Sequence, residues 1–437
     1  MKFLKISSSL NNYWVKEEIE LNPLSNVKAE IIVNKNKRYQ KILGFGGAFT
    51  DATIENYNLL DSKQKKAFLD GYFSKEGLNY NLGRYPMQST DFSSYSYNYL
   101  AKDSRDLNTL SLDADKDKIA LIKECEKVRE DKLTLMLSTW SPLEWMKTNN
   151  SLYQGGHLKK EYYDDWAKYL AKVAYLLKKE DINIKMITSQ NEVEAKQTWE
   201  SCLFTPEEEG TFVNYLYKYL KEYKVDDVNI MLLDHNRDLI PERISKTMKY
   251  VTSPIYGVAY HWYDHSCFSN LTKFHEQYPD FHILMSECCV ELLVDKNPIG
   301  DISHAEKYAY EMIQDLNNYS EGYIDWNLML NEIGGPNHVG NYCESPIMFN
   351  RNTKELMFLP SYYYIGHFSK YLDNESVRID TVCLKEGVSA VSFVNKENKT
   401  TLIILNKENK NQLVNIELNN EMYAFDVPAH TIINLVE

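Results

Sequence analysis

The chain has 437 residues, of which 43% are hydrophobic, and a formal net charge of −13. This length allows two or three domains, although a barrel of about 250 residues often folds as one unit. The acidic balance argues against nucleic acid and anionic membranes as partners. No stretch is long and apolar enough for a membrane span, so we expect no membrane insertion.

The N-terminus does not read as a signal peptide, because polar residues at Ser7 and Asn11 interrupt it before an apolar core can form. The seven cysteines are odd in number and form no C-x-x-C pair. This usage is typical of reduced thiols. We therefore expect a cytoplasmic protein.

Short β-like runs at 13–21 and 29–33 open the chain, with a turn between them. From residue 42 onward, short apolar strands alternate with amphipathic helices. The helix at 206–222 shows the pattern well, with Thr205 as N-cap and Pro206 at its first position. The predicted strands are 42–48, 78–85, 133–138, 182–189, 228–233, 255–260, 282–287 and 322–328. The predicted helices are 61–72, 113–130, 161–179, 206–222, 241–250, 268–278, 303–317 and 359–370.

Eight strands that each precede a helix favour parallel pairing and a closed (β/α)8 TIM barrel, within the α/β class. After residue 371 the chain returns to short β-rich runs, which predict an antiparallel domain. The N-terminal strands can complete it as a side β-sandwich built from both chain ends. The predicted units are the N-terminal strands at 1–41, a catalytic barrel at 42–370 and the C-terminal part of the β-sandwich at 371–437.

Two of the predicted barrel strands lead into glutamates. The fourth is followed by Asn191 and Glu192, and the seventh ends at Glu287. Glutamate is a poor strand former and is costly to bury unpaired. A helix cap is the alternative explanation for Glu192. Because barrel enzymes carry their chemistry at the C-terminal ends of the strands, we predict a site with paired carboxylates there.

Other strand ends carry aromatic and polar residues. Any one tryptophan is usually explained by core packing. Three strand-end tryptophans beside two glutamates instead indicate sugar binding, since flat apolar faces stack on sugar rings while carboxylates and amides bond hydroxyls. The residues concerned are Asp91, Trp140, His261, Trp262, Tyr263, Trp326 and Asn327.

Two weaker motifs carry no function. The glycines at 44, 46 and 47 do not form a dinucleotide-binding fingerprint, because the third glycine is misplaced and no helix begins there. His261 and His265 are four residues apart but follow a strand, and no third ligand is evident. We therefore predict no metal site and no cofactor.

Seven motifs follow one another along the chain: KILGFGGAFTDA, GRYPMQSTDFS, TWSPLEWMKTN, QNEVEAKQTWESC, AYHWY, LMSECCVE and DWNLMLNEIGGPN. Together they resemble the successive motifs of glycoside hydrolase family 30, which contains glucosylceramidases and bacterial β-glucosidases, β-xylosidases and β-1,6-glucanases. The resemblance covers about residues 42–346. It implies a (β/α)8 barrel with a side β-sandwich, in agreement with the strand count.

The resemblance implies a retaining hydrolase of β-glucosides, with Glu192 as acid/base and Glu287 as nucleophile. The neighbouring carboxylates are expected to raise the pKa of Glu192, so that it is protonated near neutral pH. The expected partner is a carbohydrate substrate, and the oligomeric state stays open. The resemblance also places sugar contacts at Asp91, Trp140, Asn191, His261, Tyr263, Trp326 and Asn341.

Two alternatives remain open from the sequence. A β-xylosidase or β-1,6-glucanase fits the same motifs, because they do not separate a sugar with a 6-hydroxymethyl group from one without. A non-catalytic carbohydrate-binding barrel is disfavoured by the presence of both glutamates. The chain departs from the family pattern at Cys288, at residues 332–333 and at His338, and the last two departures bear on the leaving-group side of the substrate.

Overall fold

The computed structural model describes residues 1–437. Eight parallel strands form a closed barrel and follow chain order around it, which confirms the predicted fold class. Most of their residues are buried, as expected for strands covered on both faces. The barrel strands are β4 (Gly44–Ala48), β5 (Leu82–Met87), β6 (Thr134–Thr139), β7 (Ile184–Thr188), β8 (Asn229–Asn236), β9 (Gly257–His261), β10 (His282–Glu287) and β12 (Gly322–Asn327).

Nine helices surround the barrel, and eight of them lie within two or three residues of the predicted ranges. The helix that the sequence did not predict is α1, which begins after Thr50, whose side chain accepts from the Thr53 amide. Its buried positions include Thr53 and Asn56, so its hydrophobic period is obscured. The helices are α1 (Asp51–Asn58), α2 (Ser62–Phe73), α3 (Lys116–Arg129), α4 (Tyr163–Lys179), α5 (Pro206–Glu222), α6 (Ile240–Thr247), α7 (Ser269–Gln277), α8 (Ile302–Asn317) and α9 (Pro360–Ser369).

Small sheets in the loops after the last two barrel strands build part of the barrel rim. One pairs β11 (Val290–Glu291) with β14 (Cys343–Glu344). The other joins β13 (Met329–Asn331), β15 (Ile347–Asn350) and β16 (Glu355–Phe358). Short 3-10 turns occur at Leu107–Thr109, Asp113–Asp115, Glu144–Met146, Lys160–Tyr162 and Arg237–Leu239.

Both chain ends join one nine-stranded sheet, in the order β2-β1-β22-β19-β18-β17-β3-β20-β21. Its inner apolar residues form a single core of 17 buried side chains drawn from both ends of the chain. The first strand in the chain, β1, was not predicted from the sequence. The strands are β1 (Lys2–Ser9), β2 (Asn12–Glu20), β3 (Ile31–Lys41), β17 (Val377–Cys383), β18 (Val388–Val394), β19 (Thr400–Asn406), β20 (Gln412–Leu418), β21 (Glu421–Val427) and β22 (Thr431–Val436).

The sandwich packs on the barrel helices α8 and α9 through apolar side chains that belong to the barrel core, among them Phe393 and Leu405. Buried hydrogen bonds accompany this packing. His367 bonds Asn434 at 2.9 Å through Nδ1 and Ser8 at 2.8 Å through Nε2. The sandwich therefore packs on the barrel through both apolar contacts and buried hydrogen bonds, and its strands contribute no residue to the pocket described next.

Candidate active site

A pocket of about 180 Å³ opens at the C-terminal ends of the barrel strands. Its wall contains eight of the nine residues that the family resemblance placed in the site, and His261 is the exception among them. Six further residues line it that the sequence did not predict: Gln197, Trp199, His235, Asn236, Cys289 and Glu291. The predicted residues on the wall are Asp91, Trp140, Asn191, Glu192, Tyr263, Glu287, Trp326 and Asn341.

Glu287 ends β10 and is held by charged and hydroxyl donors. Its Oε2 forms a buried ion pair with Nη1 of Arg84. Its Oε1 accepts a hydrogen bond from the Tyr263 hydroxyl at 3.0 Å. Hydrogen bonds to a charged group are stronger than neutral ones, so the carboxylate is firmly oriented.

Arg84, on β5, is completely buried and connects the two sides of the site. Its Nη2 donates to Asp234 Oδ2 at 2.6 Å and to Asn191 Oδ1 at 2.9 Å. The guanidinium also lies 4.7 Å from the centroid of the Trp140 ring, where a cation–π interaction is favourable. This residue was not among those predicted from the sequence. An arginine inside an apolar strand is the signal that could have identified it, because a buried cation needs anionic partners.

Glu192 follows β7 and is held more loosely than Glu287. Its backbone has a φ of +49°, which is uncommon for a non-glycine residue, and its amide donates to the Asp234 carbonyl at 2.7 Å. Its carboxylate lies 3.4 Å from His261 Nδ1 and accepts from Gln197 Nε2 at 3.3 Å. Both distances lie beyond the usual range for strong hydrogen bonds.

His261 ends β9 and lies behind the two glutamates rather than on the pocket wall. The imidazole is fully buried. Its Nε2 is 3.0 Å from Asp234 Oδ1 and 3.9 Å from Glu287 Oε2. The resemblance implied a position near the nucleophile among the sugar contacts; the structure places the imidazole near Glu287 but off the pocket wall.

Asp234 is a third buried carboxylate that the sequence analysis missed. Its Oδ1 accepts from Ser286 Oγ at 2.7 Å as well as from His261. Leu233 and Asp234 have φ values of +75° and +46°. Such strained backbone persists only where the surrounding structure fixes it, and it clusters at functional sites. No sequence pattern indicates this conformation at the end of β8.

The electrostatics of the two glutamates differ from the prediction. Burial raises the pKa of Glu192, but the hydrogen bond with His261 and the charges of His235 and His261 lower it, to about 2. Burial lowers the pKa of His261, yet the charge of Glu287 and the hydrogen bonds with Asp234 and Glu192 raise it to about 9. Burial raises the pKa of Glu287, against the lowering charges of His261 and Arg84. The expected rise at Glu192 is therefore reversed, because a cation lies beside it that the sequence could not place.

The pocket wall also offers flat rings and polar groups. Trp140 and Trp326 stack with centroids 4.9 Å apart and planes at 17°. Asp91 Oδ2 accepts from Asn341 Nδ2 at 2.9 Å, while its buried Oδ1 has no partner. Burial and the charge of Glu287 raise the pKa of Asp91. This combination of apolar faces and unpaired polar atoms suits a sugar ring.

One predicted pocket tryptophan lies elsewhere. Trp262 is fully buried, packs 4.8 Å from the Tyr308 ring and donates to the Cys289 carbonyl at 3.2 Å. The prediction that this side chain reaches the rim is wrong, since alternate residues after a strand point to opposite sides. Trp199, on the loop after Glu192, lines the pocket instead.

Three possible metal donors lie together here, although the sequence showed no third ligand. Single ligand atoms of Glu192, His261 and Glu287 lie within 4.8 Å of one another. His265 is not among them and contacts Glu311 at 3.2 Å. Arg84 already supplies positive charge to Glu287, so the cluster fits proton transfer better than cation binding. Independence from metal stays a prediction.

Comparison with known proteins gives the family. Residues 42–372 match the glycosyl hydrolase family 30 TIM-barrel domain, and residues 375–435 match the glycosyl hydrolase family 30 beta sandwich domain. The chain belongs to glycoside hydrolase family 30. The resemblance drawn from the seven motifs is thereby confirmed, and the protein is a glycoside hydrolase.

Several relatives share most of the chain. The lysosomal acid glucosylceramidase of Mus musculus is 30% identical over 370 residues, covering 80% of this chain and 72% of that protein. The endo-1,6-beta-D-glucanase of Neurospora crassa is 28% identical over 360 residues, covering 78% of this chain and 72% of that protein. The crystal structure of SrfJ from Salmonella typhimurium superposes with a TM-score of 0.93 at 32% identity, covering 100% of this chain and 99% of that one.

The fold contains no helix that is both long and apolar enough to cross a membrane. The substrate of this family of enzymes is carbohydrate, in agreement with the predicted partner. The cellular location stays a prediction.

Proposed function

We propose that the protein is a retaining β-glucosidase that works by double displacement, with Glu287 as nucleophile and Glu192 as acid/base. The observation that carries the proposal is the spacing of the two carboxylates. Glu192 and Glu287 have oxygens within 4.8 Å of each other at one pocket. Retaining glycosidases hold their carboxylates about 5–5.5 Å apart, whereas inverting enzymes need roughly 6.5–9.5 Å to admit a water.

The surroundings of the glutamates support the assignment of roles. Arg84 and the Tyr263 hydroxyl favour the ionised form of Glu287, which a nucleophile requires. Glu192 faces His261 and Gln197, and can exchange a proton with the imidazole. The Nδ2 of Asn191 remains available for the sugar 2-hydroxyl, because its Oδ1 accepts from Arg84.

The size of the pocket supports attack at the end of a substrate rather than within a chain. A volume of about 180 Å³ is below the roughly 300–1,000 Å³ typical of sites for drug-sized ligands. It accommodates one sugar ring between the stacked tryptophans and Glu287. The Asp91–Asn341 hydrogen bond joins two of the loops that form the pocket wall.

The test is hydrolysis of p-nitrophenyl β-glucoside and p-nitrophenyl β-xyloside, with proton NMR of the first sugar released. We expect faster hydrolysis of the glucoside and initial release of the β-anomer. A Glu287→Gln preparation controls for host glycosidases. Initial release of the α-anomer contradicts double displacement. Faster hydrolysis of the xyloside than of the glucoside contradicts the assignment as a β-glucosidase and supports the β-xylosidase alternative.

A further inference from the structure

A buried imidazole lies directly behind Glu192 and takes no part in the pocket wall. His261 has no exposed surface. Its Nδ1 lies 3.4 Å from Glu192 Oε1, and its Nε2 lies 3.0 Å from Asp234 Oδ1. Each ring nitrogen is therefore next to a carboxylate. An imidazole in this position is stabilised with protons on both nitrogens.

We propose that Asp234, His261 and Glu192 form a proton relay, in which His261 stores the proton that Glu192 delivers to the leaving group. The proposal rests on the retaining mechanism proposed above and extends it by naming where the proton resides before the reaction. Asp234 and His261 are positioning residues, because they act through Glu192 and do not touch the sugar.

The orientation of the imidazole follows from the contacts of Asp234. Its Oδ2 is fixed by Arg84 at 2.6 Å, and its Oδ1 accepts from Ser286 at 2.7 Å. With the carboxylate held from both sides, the Nε2–H of His261 donates to it. The Nδ1 proton then faces Glu192, and the contact of 3.4 Å shortens when the proton moves.

The charges around the imidazole favour its protonated form. Its ring nitrogens lie 3.0 Å from Asp234, 3.4 Å from Glu192 and 3.9 Å from Glu287. These three carboxylates outnumber the one guanidinium nearby, that of Arg84, which contacts two of them. The centroid of the His235 ring is 6.3 Å from that of His261, and burial lowers the pKa of His235, so it competes weakly for the proton. The neighbouring groups are Glu192, Asp234, Glu287, Arg84, His235 and Tyr263.

The first chemical step joins the sugar to Glu287 and releases the leaving group. An oxygen of Glu287 forms a bond to the anomeric carbon as the bond from that carbon to the leaving oxygen breaks. The leaving oxygen takes a proton from Glu192, and Glu192 receives the Nδ1 proton of His261. Because Glu287 becomes a neutral ester, one of the negative charges that held the proton on His261 disappears during the same step.

The second step reverses these transfers. The oxygen of a water molecule bonds to the anomeric carbon, and the ester bond to Glu287 breaks to restore the carboxylate. The proton of the water passes to Glu192 and from there to His261 Nδ1. The returning charge of Glu287 again favours the protonated imidazole.

The kinetic test compares the pH dependence of kcat/KM in wild type and His261→Asn. With p-nitrophenyl β-glucoside, the alkaline limb of the wild type should lie near pH 9, where His261 loses its proton. In His261→Asn this limb should move at least one pH unit lower, with a loss of about 10²-fold at neutral pH, within the range of general-acid effects. With dinitrophenyl β-glucoside, which needs no proton, the variant should stay within about threefold of wild type.

Tyr263→Phe is the matched control, since it removes a donor from Glu287 and should leave the alkaline limb unmoved. Equal losses of His261→Asn on both substrates with an unmoved limb indicate a structural role and overturn the relay. A wild type that does not hydrolyse β-glucosides, or that inverts, overturns the proposed function together with the relay. A moved limb in a retaining enzyme supports both.

A second measurement needs no substitution. Proton–nitrogen NMR of ¹⁵N-histidine-labelled wild type follows all ten histidines. One imidazole should remain protonated to about pH 9. The midpoint pH of its titration should fall by more than one unit when a 2-deoxy-2-fluoroglucoside traps Glu287 as its ester. If no histidine responds to the trapping, the relay is wrong.

Discussion

The surroundings of Glu287 and of Glu192 differ in kind, although both glutamates lie at the C-terminal side of barrel strands and face one pocket. Glu287 is fixed by a buried guanidinium and a hydroxyl. Glu192 has two long contacts to neutral or titrating groups, and its backbone is in the left-handed region. The contacts of Glu287 hold a charge in place, whereas those of Glu192 suit the proton transfer that we propose for it.

This asymmetry shows why a single arginine suffices for two carboxylates. Arg84 contacts Glu287 and Asp234 directly, and Asp234 in turn holds the imidazole beside Glu192. The positive charge is thus delivered to Glu287 directly and to Glu192 through a titrating group. If Arg84 contacted Glu192 directly, the carboxylate would face a cation that cannot give up a proton, whereas the imidazolium of His261 can return one to it.

The largest expected effect is that of Glu287→Gly, which removes the proposed nucleophile. We expect turnover of aryl β-glucosides to fall by roughly 10⁶-fold, as when nucleophiles are removed from other enzymes. Azide should not restore formation of a β-product, and an α-glucosyl azide should form by direct displacement. The products are assigned by proton NMR. Formation of a β-azide from this variant means that the two roles are exchanged.

The next largest effect is that of Glu192→Ala, which removes proton transfer and leaves the nucleophile intact. Hydrolysis of nitrophenyl β-glucoside should fall by about 10²–10⁴-fold. Dinitrophenyl β-glucoside should still form the glycosyl-enzyme, so that its hydrolysis becomes limiting. Azide should then increase the rate and give a β-glucosyl azide. A variant that is equally slow on both substrates and indifferent to azide contradicts an acid/base role.

The barrel and the two glutamates were predictable because each leaves a local mark. Apolar strands alternate with amphipathic helices over more than 300 residues. A carboxylate at the end of a buried strand conflicts with local preference, and such conflicts mark functional sites. Glu192 and Glu287 could therefore be identified before any contact was known.

The supporting residues left a weaker mark, because an arginine inside an apolar strand does not reveal which anionic partners it meets. The ion pair of Arg84 with Asp234 joins residues 150 positions apart, and only the closed barrel brings them together. The left-handed backbone at Leu233 and Asp234 depends on the same closure. The predicted rise in the pKa of Glu192 was wrong for this reason. The direction of the shift is set by a neighbouring imidazole, and the sequence does not show how close that imidazole lies to Glu192.

A smaller effect is expected from Tyr263→Phe, which removes one hydrogen bond to the nucleophile. Hydrogen bonds to charged groups contribute about 1.5–3 kcal/mol, so kcat/KM should fall by roughly 10- to 100-fold. The hydroxyl stabilises the ionised carboxylate. Its loss raises the pKa of Glu287 further, and the acidic limb of the pH profile should move to higher pH. An acidic limb that moves to lower pH contradicts this account of the nucleophile.

The smallest expected effect is that of a chelator. Metal binding at Glu192, His261 and Glu287 would displace the proton that the imidazole holds and would compete with Arg84 for Glu287. A bound divalent ion should therefore inhibit the enzyme. We expect EDTA to leave hydrolysis of p-nitrophenyl β-glucoside unchanged, added Zn²⁺ to inhibit it, and EDTA to reverse that inhibition. The control is Glu332→Gln, a rim substitution outside the cluster, which should respond to Zn²⁺ as wild type does. Loss of activity in EDTA that a divalent ion restores would mean that the two sides of the site are joined by a metal rather than by a proton relay.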